Sequence, residues 1–206
     1  MILYTVGHSN HTQAEFLHLL KVHGVDYIVD IRSVPASKHN PQFNQEVLES
    51  FLNIHSIGYQ FMGNEFGARR TDSMNKERQV DFERAVHTPL FQNGVQKLNE
   101  ILQHHTVALM CSEANPLDCH RFALVARYFH ERGLKVQHIL RSAELADHLK
   151  LEHEMIEQYL HAKRPLLPDI DELFGIYTAA QQLQDAYKLK NKEIGYKFQQ
   201  QEDYFD

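Results

Sequence analysis

The segment from residue 2 to residue 31 constrains the fold most, because it holds two apolar stretches separated by a helix-like one. The apolar stretches, ILYTVG and VDYIVDIRS, have the continuous, partly β-branched character of buried strands. Between them Thr12 and Glu15 stand three apart, as in a capping box that begins a helix, and Gly24 marks its end. A crossover of this length implies parallel strands, so the chain begins with a β-α-β unit.

The alternation continues to about residue 140. Further strands are predicted at YQFMG, TVALM and LKVQHIL, and further helices at residues 45–57, 78–87, 90–104 and 119–132. This order predicts an α/β fold, Rossmann-like, with a mainly parallel sheet and helices on both faces. Residues 1–141 are predicted to be the α/β domain that carries the site. Residues 142–206 are predicted to be a helical C-terminal extension with a polar tail.

Composition excludes several classes of protein. No run approaches the roughly 18 apolar residues that cross a bilayer, and the first residues lack the features of a signal peptide. Two cysteines in 206 residues exclude a disulfide scaffold and favour a reducing cytoplasm, so we expect a cytoplasmic protein without membrane contact. The net charge of −6 argues against a dedicated nucleic-acid binder, but it permits a locally positive pocket.

Polar side chains follow three of the predicted strands. They are His8 and Ser9 after the first strand, Asp30 and Arg32 after the second, and Cys111 and Glu113 after TVALM. Ligands of an open parallel sheet bind at the carboxyl ends of its strands. We therefore expect these groups to form one site, with Asp30, Glu113 or His8 as acid and base. His8 titrates near neutral pH without large tuning, and the alternative is a ring bonded to the backbone of its own turn.

The stretch CSEANPLDCHR carries the densest group of reactive side chains. Asp118 is predicted to cap a helix, which places Cys119, His120 and Arg121 in its first turn. Free backbone N–H groups and the helix dipole attract anions at such a position.

Arg121 adds a planar guanidinium that suits phosphate or carboxylate. Together with Arg32 it is predicted to form an anion clamp. The alternative is that Arg121 pairs with Glu113 or Asp30.

The two cysteines have several interpretations. Beside His120 and Arg121, Cys119 is expected to have a lowered pKa and to act as a nucleophile, unless it is simply a small buried residue. Cys111 closes a buried strand, which favours a packing role. The C-x7-C-H spacing fits neither a zinc finger nor a C-x-x-C redox motif, so no metal ligand is assigned. A zinc or redox site with these cysteines and the nearby histidines stays open as an alternative.

The motifs TVGHSN, VDIRSVPASKHNPQFN, ALMCSEANPLDCHR and VQHIL, in this order, resemble the domain-of-unknown-function 488 family over about residues 3–140. The resemblance implies an α/β domain whose motif residues cluster at one end of the sheet. The residues that carry over at matching motif positions are His8, Ser9, Asp30, Arg32, Cys111, Glu113, Cys119, His120 and Arg121.

We therefore expect an enzyme of hydrolysis or group transfer with a small anionic, nucleotide-like or phosphorylated substrate. No G-x-G-x-x-G fingerprint is present, so a dinucleotide cofactor is not expected. The alternatives are a non-catalytic module for an anion or a nucleic-acid end, and the zinc or redox site. The C-terminal helices are a candidate surface for a homodimer, and residues 63–76 are either a basic flap over the pocket or a solvated loop.

Overall fold

The structure is a computed structural model that describes residues 1–161 and 178–199. Its centre is one six-stranded sheet. The strands are β1 (Ile2–Gly7), β2 (Tyr27–Asp30), β3 (Gly58–Phe61), β4 (Val107–Cys111), β5 (Lys135–Ile139) and β6 (Leu145–Asp147). Their order across the sheet is β3-β2-β4-β1-β5-β6, and only the β5–β6 pair is antiparallel. The predicted α/β class with a mainly parallel sheet is confirmed.

Helices cover both faces of the sheet. They are α1 (Gln13–Val22), α2 (Gln45–Ile54), α3 (Gly63–Phe66), α4 (Phe82–Ala85), α5 (Pro89–Leu102), α6 (Arg127–His130), α7 (His148–Ile156) and α8 (Ala179–Ile194). A π-helical segment, Arg121–Ala126, runs directly into α6. One apolar core packs α1 and α2 against the sheet, and a second core packs the remaining helices against the opposite face.

Local sequence explains where the first helix begins. The Thr12 side chain accepts a hydrogen bond from the backbone N–H of Glu15, and Glu15 accepts one from the backbone N–H of Thr12. The buried face of α1 consists of Phe16, Leu19 and Leu20, at the spacing of an amphipathic helix. The capping box predicted from sequence is therefore confirmed.

Two regions differ from expectation. The helix predicted at residues 78–87 covers only α4, because Met74 and Val80 pair as a short bridge before it. The stretch from residue 142, predicted to be helical, first adds strand β6 to the sheet, and Asp147 then caps α7. The connection around residues 164–175 and the polar tail from residue 200 lie outside the described residues.

The C-terminal elements pack onto the α/β unit. In α8 Ala186, Tyr187 and Lys190 are buried, and the ring of Tyr187 stacks on Phe122. The predicted boundary after residue 141 and the predicted homodimer stay predictions. Within residues 1–161 and 178–199, every helix is too short or too polar to cross a membrane.

A chain of buried polar side chains joins β1, β5, α7 and α8, and we call it the histidine–tyrosine network. It consists of Thr5, His138, His148, Tyr187 and Glu152. Each member bonds to the next, with distances of 2.7 Å, 3.0 Å, 3.0 Å and 2.7 Å in that order. Burial lowers the pKa of His138 well below its usual value, and it also lowers the pKa of His148.

The parallel register brings the ends of three strands level. Gly7 of β1 stands opposite Cys111 of β4, and Asp30 of β2 stands opposite Met110. A Cβ atom on Gly7 would overlap the backbone carbonyl oxygen of Glu113, so the loops after β1 and β4 meet only because this residue is glycine. The strand ends therefore form one edge, as the sequence predicted.

Candidate active site

An ion pair at the end of β2 is fully buried. Arg32 donates from Nε to Asp30 Oδ1 at 2.9 Å and from Nη2 to Asp30 Oδ2 at 2.6 Å. Arg32 Nη2 also donates to the backbone oxygen of Phe43, and the Tyr59 hydroxyl donates to Asp30 Oδ2 at 2.8 Å. Both carboxylate oxygens of Asp30 thus accept hydrogen bonds, and most N–H groups of the Arg32 guanidinium donate to protein acceptors.

His8 completes this buried group. Its Nδ1–H donates to the carbonyl of Ser9 at 2.9 Å, so Nε2 is unprotonated and accepts from Arg32 Nη1 at 3.2 Å. Burial, and then the positive charge of Arg32, lowers the pKa of His8 to about 4. The ring also stacks on Phe43. His8 is therefore neutral near pH 7 and bonded to its own turn, the arrangement that the alternative interpretation described.

The start of the helix after β4 differs from the prediction. Asp118 ends a 3-10 turn, Pro116–Asp118, and its carboxylate accepts from the Asn115 amide at 3.0 Å. Asp118 therefore does not cap the helix. Cys119 has extended backbone, and its sulfur accepts the backbone N–H of Arg121 at 3.4 Å. The prediction that Asp118 is the N-cap was wrong, because Asn115 and Pro116 form a separate turn.

Arg121 is completely buried and holds the loop after β4. Its Nη1 donates to the carbonyl of Glu113 at 2.6 Å, and its Nη2 donates to the carbonyl of Ala114 at 3.0 Å. This guanidinium binds backbone oxygens, whereas the sequence left open a pairing with the Glu113 or Asp30 carboxylates. The predicted anion clamp of Arg32 and Arg121 stays a prediction, and both groups have protein partners.

Two cysteines and a histidine meet in one group, which we call the thiol–imidazole cluster: Cys111, Cys119 and His120. His120 Nδ1 lies 3.7 Å from the sulfur of Cys111 and 3.8 Å from that of Cys119. His120 Nε2 lies 3.0 Å from the carbonyl oxygen of Ile31, so this nitrogen carries the proton that it donates. The Nδ1 atom therefore faces both sulfurs.

The surroundings of the thiol–imidazole cluster shift the pKa of each of its three side chains. Burial alone would raise the pKa of Cys119, but a hydrogen bond from Cys111 and the positive charges of Arg121 and His120 hold that pKa well below its usual value. Burial and the neighbouring Cys119 raise the pKa of Cys111. Burial would lower the pKa of His120, but the adjacent Cys119 raises it. Within this pair, negative charge is therefore favoured on Cys119 and disfavoured on Cys111.

Glu113 stands beside this cluster. Its Oε2 lies 3.0 Å from the sulfur of Cys111. Burial of the carboxylate, and then the charge of Cys119, raises the pKa of Glu113. The residue as a whole is exposed, so this carboxylate connects the buried sulfurs with solvent.

A pocket of about 270 Å³ opens over the cluster, and we call it the edge pocket. Its wall includes Arg32, Arg69, Cys111, Glu113, His120 and Tyr196. Four of these were predicted site residues. The other predicted site residues, which do not line the pocket, are His8, Ser9, Asp30, Cys119 and Arg121.

The five outside the pocket have different surroundings. His8, Asp30 and Arg121 hydrogen-bond to residues of the pocket wall. His8 and Asp30 bond to Arg32, and Arg121 bonds to the carbonyl of Glu113. Ser9 has a positive φ of 44° and its hydroxyl lies near Asn10, away from the pocket. Cys119 is 1% exposed.

Residues 63–76, predicted to be either a basic flap or a solvated loop, contain one buried arginine and one exposed arginine. Arg70 is buried, pairs with Asp72 and donates to the backbone oxygen of Glu65. Arg69 is exposed, lies over the ring of Tyr196 and has no ion-pair partner among the described residues. Sequence reasoning placed Arg69 only in a basic segment and missed Tyr59 and Tyr196, since no local pattern marks a tyrosine that reaches a distant carboxylate or pocket.

Comparison with known proteins gives one match. The family model described as Domain of unknown function DUF488 matches residues 12–129, more than half of the chain. No curated protein and no solved structure matches. The matched region holds the thiol–imidazole cluster and the Asp30–Arg32 pair, while His8 and Ser9 lie before it. The chain belongs to the DUF488 family.

Proposed function

We propose that the chain is an enzyme that carries out hydrolysis or group transfer on a small anionic substrate bound in the edge pocket. The observation that carries this proposal is the convergence of three groups at one pocket on the carboxyl edge of the sheet. They are the Arg69 guanidinium, which has no ion-pair partner within residues 1–161 and 178–199, the Glu113 carboxylate and the thiol–imidazole cluster. Such an edge is where open α/β sheets bind ligands. A wider cavity beside α5, of about 570 Å³, lacks cysteine, histidine and carboxylate groups, so size alone does not select a site.

Arg69 is the group that we assign to the anion. Arg32 and Arg121 already donate to Asp30 and to loop carbonyls, whereas Arg69 has its guanidinium free among the described residues. A guanidinium held over an aromatic ring is oriented without being neutralised. We therefore assign Asp30 and His8 to positioning Arg32 in the pocket wall, and Arg69 to phosphate or carboxylate recognition.

Glu113 is the group that we assign to proton transfer. Its carboxylate lies on the pocket wall within reach of a bound substrate, whereas those of Asp30 and Glu65 are buried in ion pairs. A positioned acid or base of this kind contributes roughly 100- to 10,000-fold to a rate. The pocket volume of about 270 Å³ lies just below the usual range of about 300–1,000 Å³ for ligand pockets, which suits a small substrate.

Binding tests the first half of the proposal. Inorganic phosphate, nucleoside phosphates, sugar phosphates and small carboxylates are screened by thermal shift and then by calorimetry. Arg69→Ala is expected to weaken the best anion roughly 10- to 100-fold, since a hydrogen bond to a charged group is removed. Arg84→Ala, which deletes an exposed arginine that pairs with Asp81, is the matched control. Equal affinity in both variants, or no binding by any anion, would overturn the anion assignment.

Turnover tests the second half. Anions that bind are incubated with the protein, and products are identified by phosphate release and mass spectrometry. Glu113→Gln is expected to retain binding and to lose about 100-fold in kcat. A non-catalytic anion-binding module would bind the same anions and convert none of them.

A further inference from the structure

We propose that Cys111, Cys119 and His120 form a binding site for one zinc ion, open toward the edge pocket. The three donors are buried side by side, and one ligand atom from each lies within 4.8 Å of the other two. When zinc binding displaces the proton of Cys111, two thiolates and an imidazole form a donor set that favours Zn²⁺ among the common biological cations.

The distances fit a tetrahedral ion. Zinc lies about 2.3 Å from sulfur and about 2.0–2.1 Å from imidazole nitrogen, which sets the sulfur-to-nitrogen edge of a tetrahedron at about 3.6 Å. The two observed edges, from His120 Nδ1 to the sulfurs of Cys111 and Cys119, are 3.7 Å and 3.8 Å. Small side-chain shifts would bring all three donors to bonding distance.

The imidazole is oriented as a metal ligand. A histidine that binds metal through one nitrogen usually donates its other N–H to a carbonyl or carboxylate, which fixes the tautomer and the ring plane. His120 Nε2–H donates in this way to the carbonyl of Ile31 at the end of β2. The Nδ1 atom is thus directed at the two sulfurs, and loss of its proton frees the lone pair for a metal ion.

The fold, and not the spacing, assembles this donor set. Cys111 ends β4, while Cys119 and His120 precede the π-helical segment after a seven-residue loop. Arg121 closes that loop on itself through the Glu113 and Ala114 carbonyls, which brings its two ends together. Zinc fingers achieve the same proximity with cysteines two to four residues apart.

Three protein ligands leave one coordination position. Catalytic zinc sites have this composition, with water or substrate in the fourth position, whereas structural sites use four protein ligands. Cys111 and His120 both line the edge pocket, so the fourth position faces it. Only this last role rests on the proposed function. Zinc binding itself does not.

Two other states use the same atoms. A disulfide between Cys111 and Cys119 would consume both thiols, and a proton on His120 Nδ1 would pair with a Cys119 thiolate. Each state excludes zinc, so metal content separates them.

The test is elemental analysis of the full-length protein, purified with a phosphine reductant and without chelators. We expect one zinc per chain, and a cobalt-substituted protein with thiolate-to-metal charge-transfer absorption. Chelator competition on the unaltered chain gives the affinity without relying on any variant. Cys119→Ser and His120→Ala are expected to weaken zinc binding more than about 100-fold, and the exposed His104→Ala to leave it unchanged.

The outcomes are distinct. Wild-type protein that takes up no stoichiometric zinc on reconstitution, or a cobalt complex without thiolate absorption, overturns the site. Stoichiometric iron in place of zinc overturns the choice of metal. Zinc binding without any anion binding leaves this inference intact and removes the proposed function, and anion turnover by a chain that takes up no zinc on reconstitution does the reverse.

Discussion

The histidine–tyrosine network and the thiol–imidazole cluster are both buried groups of polar side chains, yet they differ in two respects. In the network each member has a partner, and none of its side chains reaches the edge pocket. In the cluster the soft sulfur donors face one nitrogen, and two of the three residues line a pocket. Burial of polar groups therefore does not by itself indicate a candidate site, whereas buried donor atoms whose residues also line a pocket do.

The largest effect is expected from breaking the network at its end. Glu152 accepts the Tyr187 hydroxyl at 2.7 Å and is 3% exposed. Glu152→Ala leaves the buried Tyr187 hydroxyl without its acceptor and removes the carboxylate that lies 3.6 Å from His148, and we expect a loss of about 3 kcal/mol in the free energy of unfolding. Urea unfolding measures it, with the exposed Glu154→Ala on the same helix as control.

Zinc content and anion affinity are expected to stay unchanged in the folded fraction of Glu152→Ala. A change in either would show that the network and the cluster are energetically coupled.

The converse experiment changes a residue of the candidate site, and we expect it to leave the stability of the fold nearly unchanged. Glu113→Gln is expected to lower kcat about 100-fold, which corresponds to about 2.7 kcal/mol in the barrier. The free energy of unfolding is expected to change by less than about 1 kcal/mol, because the residue is exposed. A stability loss as large as that of Glu152→Ala would assign Glu113 to the framework.

The pH dependence of stability reports on the network. The folded-state pKa values of His138 and His148 are lowered, so both are neutral in the fold and gain protons more readily when unfolded. Stability is complete above the unfolded pKa of about 6.5 and falls as pH drops below it, by up to about 1.4 kcal/mol per pH unit for each histidine. The lowered pKa of His8 adds a slope of the same sign.

Urea unfolding between pH 8 and pH 5 measures this slope. His138→Gln is expected to reduce it, and His153→Gln, at an exposed position of α7, to leave it unchanged. The groups around His138 are Thr5, His148, His130 and Arg121, and burial, together with the positive charge of Arg121, disfavours its protonation. An unchanged slope in His138→Gln would show that the network does not titrate with folding.

The smallest effect concerns the Asp30–Arg32 pair. Tyr59→Phe removes one of several hydrogen bonds to Asp30, and we expect a loss of about 1 kcal/mol in stability. Thermal unfolding checks it. Anion affinity is expected to change less than twofold, because the Arg32 fork keeps its bonds to both Asp30 oxygens. A larger fall would place Tyr59 in the recognition of substrate.

Sequence predicted the features that depend on local periodicity. The β-α-β start and the Thr12–Glu15 capping box follow from neighbouring residues, and the convergence of strand ends follows from parallel pairing. The edge strand β6 was missed, because three residues paired through a distant strand leave no pattern of their own.

The site was predicted less completely, for physical reasons. Which acceptors an arginine binds is decided by tertiary contacts, so sequence could not show that Arg32 binds Asp30 or that Arg121 binds the carbonyls of its loop. The spacing of Cys111 and Cys119 matched no known metal motif. Spacing measures separation along the chain, however, and could not show that the two side chains lie close together in space. Closure of the loop by Arg121 decides their distance in space.

The order of the strands also bears on how the protein behaves at high concentration. The outermost strands, β3 and β6, have four and three residues, and each offers only a short row of unpaired backbone groups. Short edges give neighbouring molecules little to pair with, which limits association through added strands. The longest strand, β1, is enclosed between β4 and β5, where no other chain reaches its hydrogen-bonding groups.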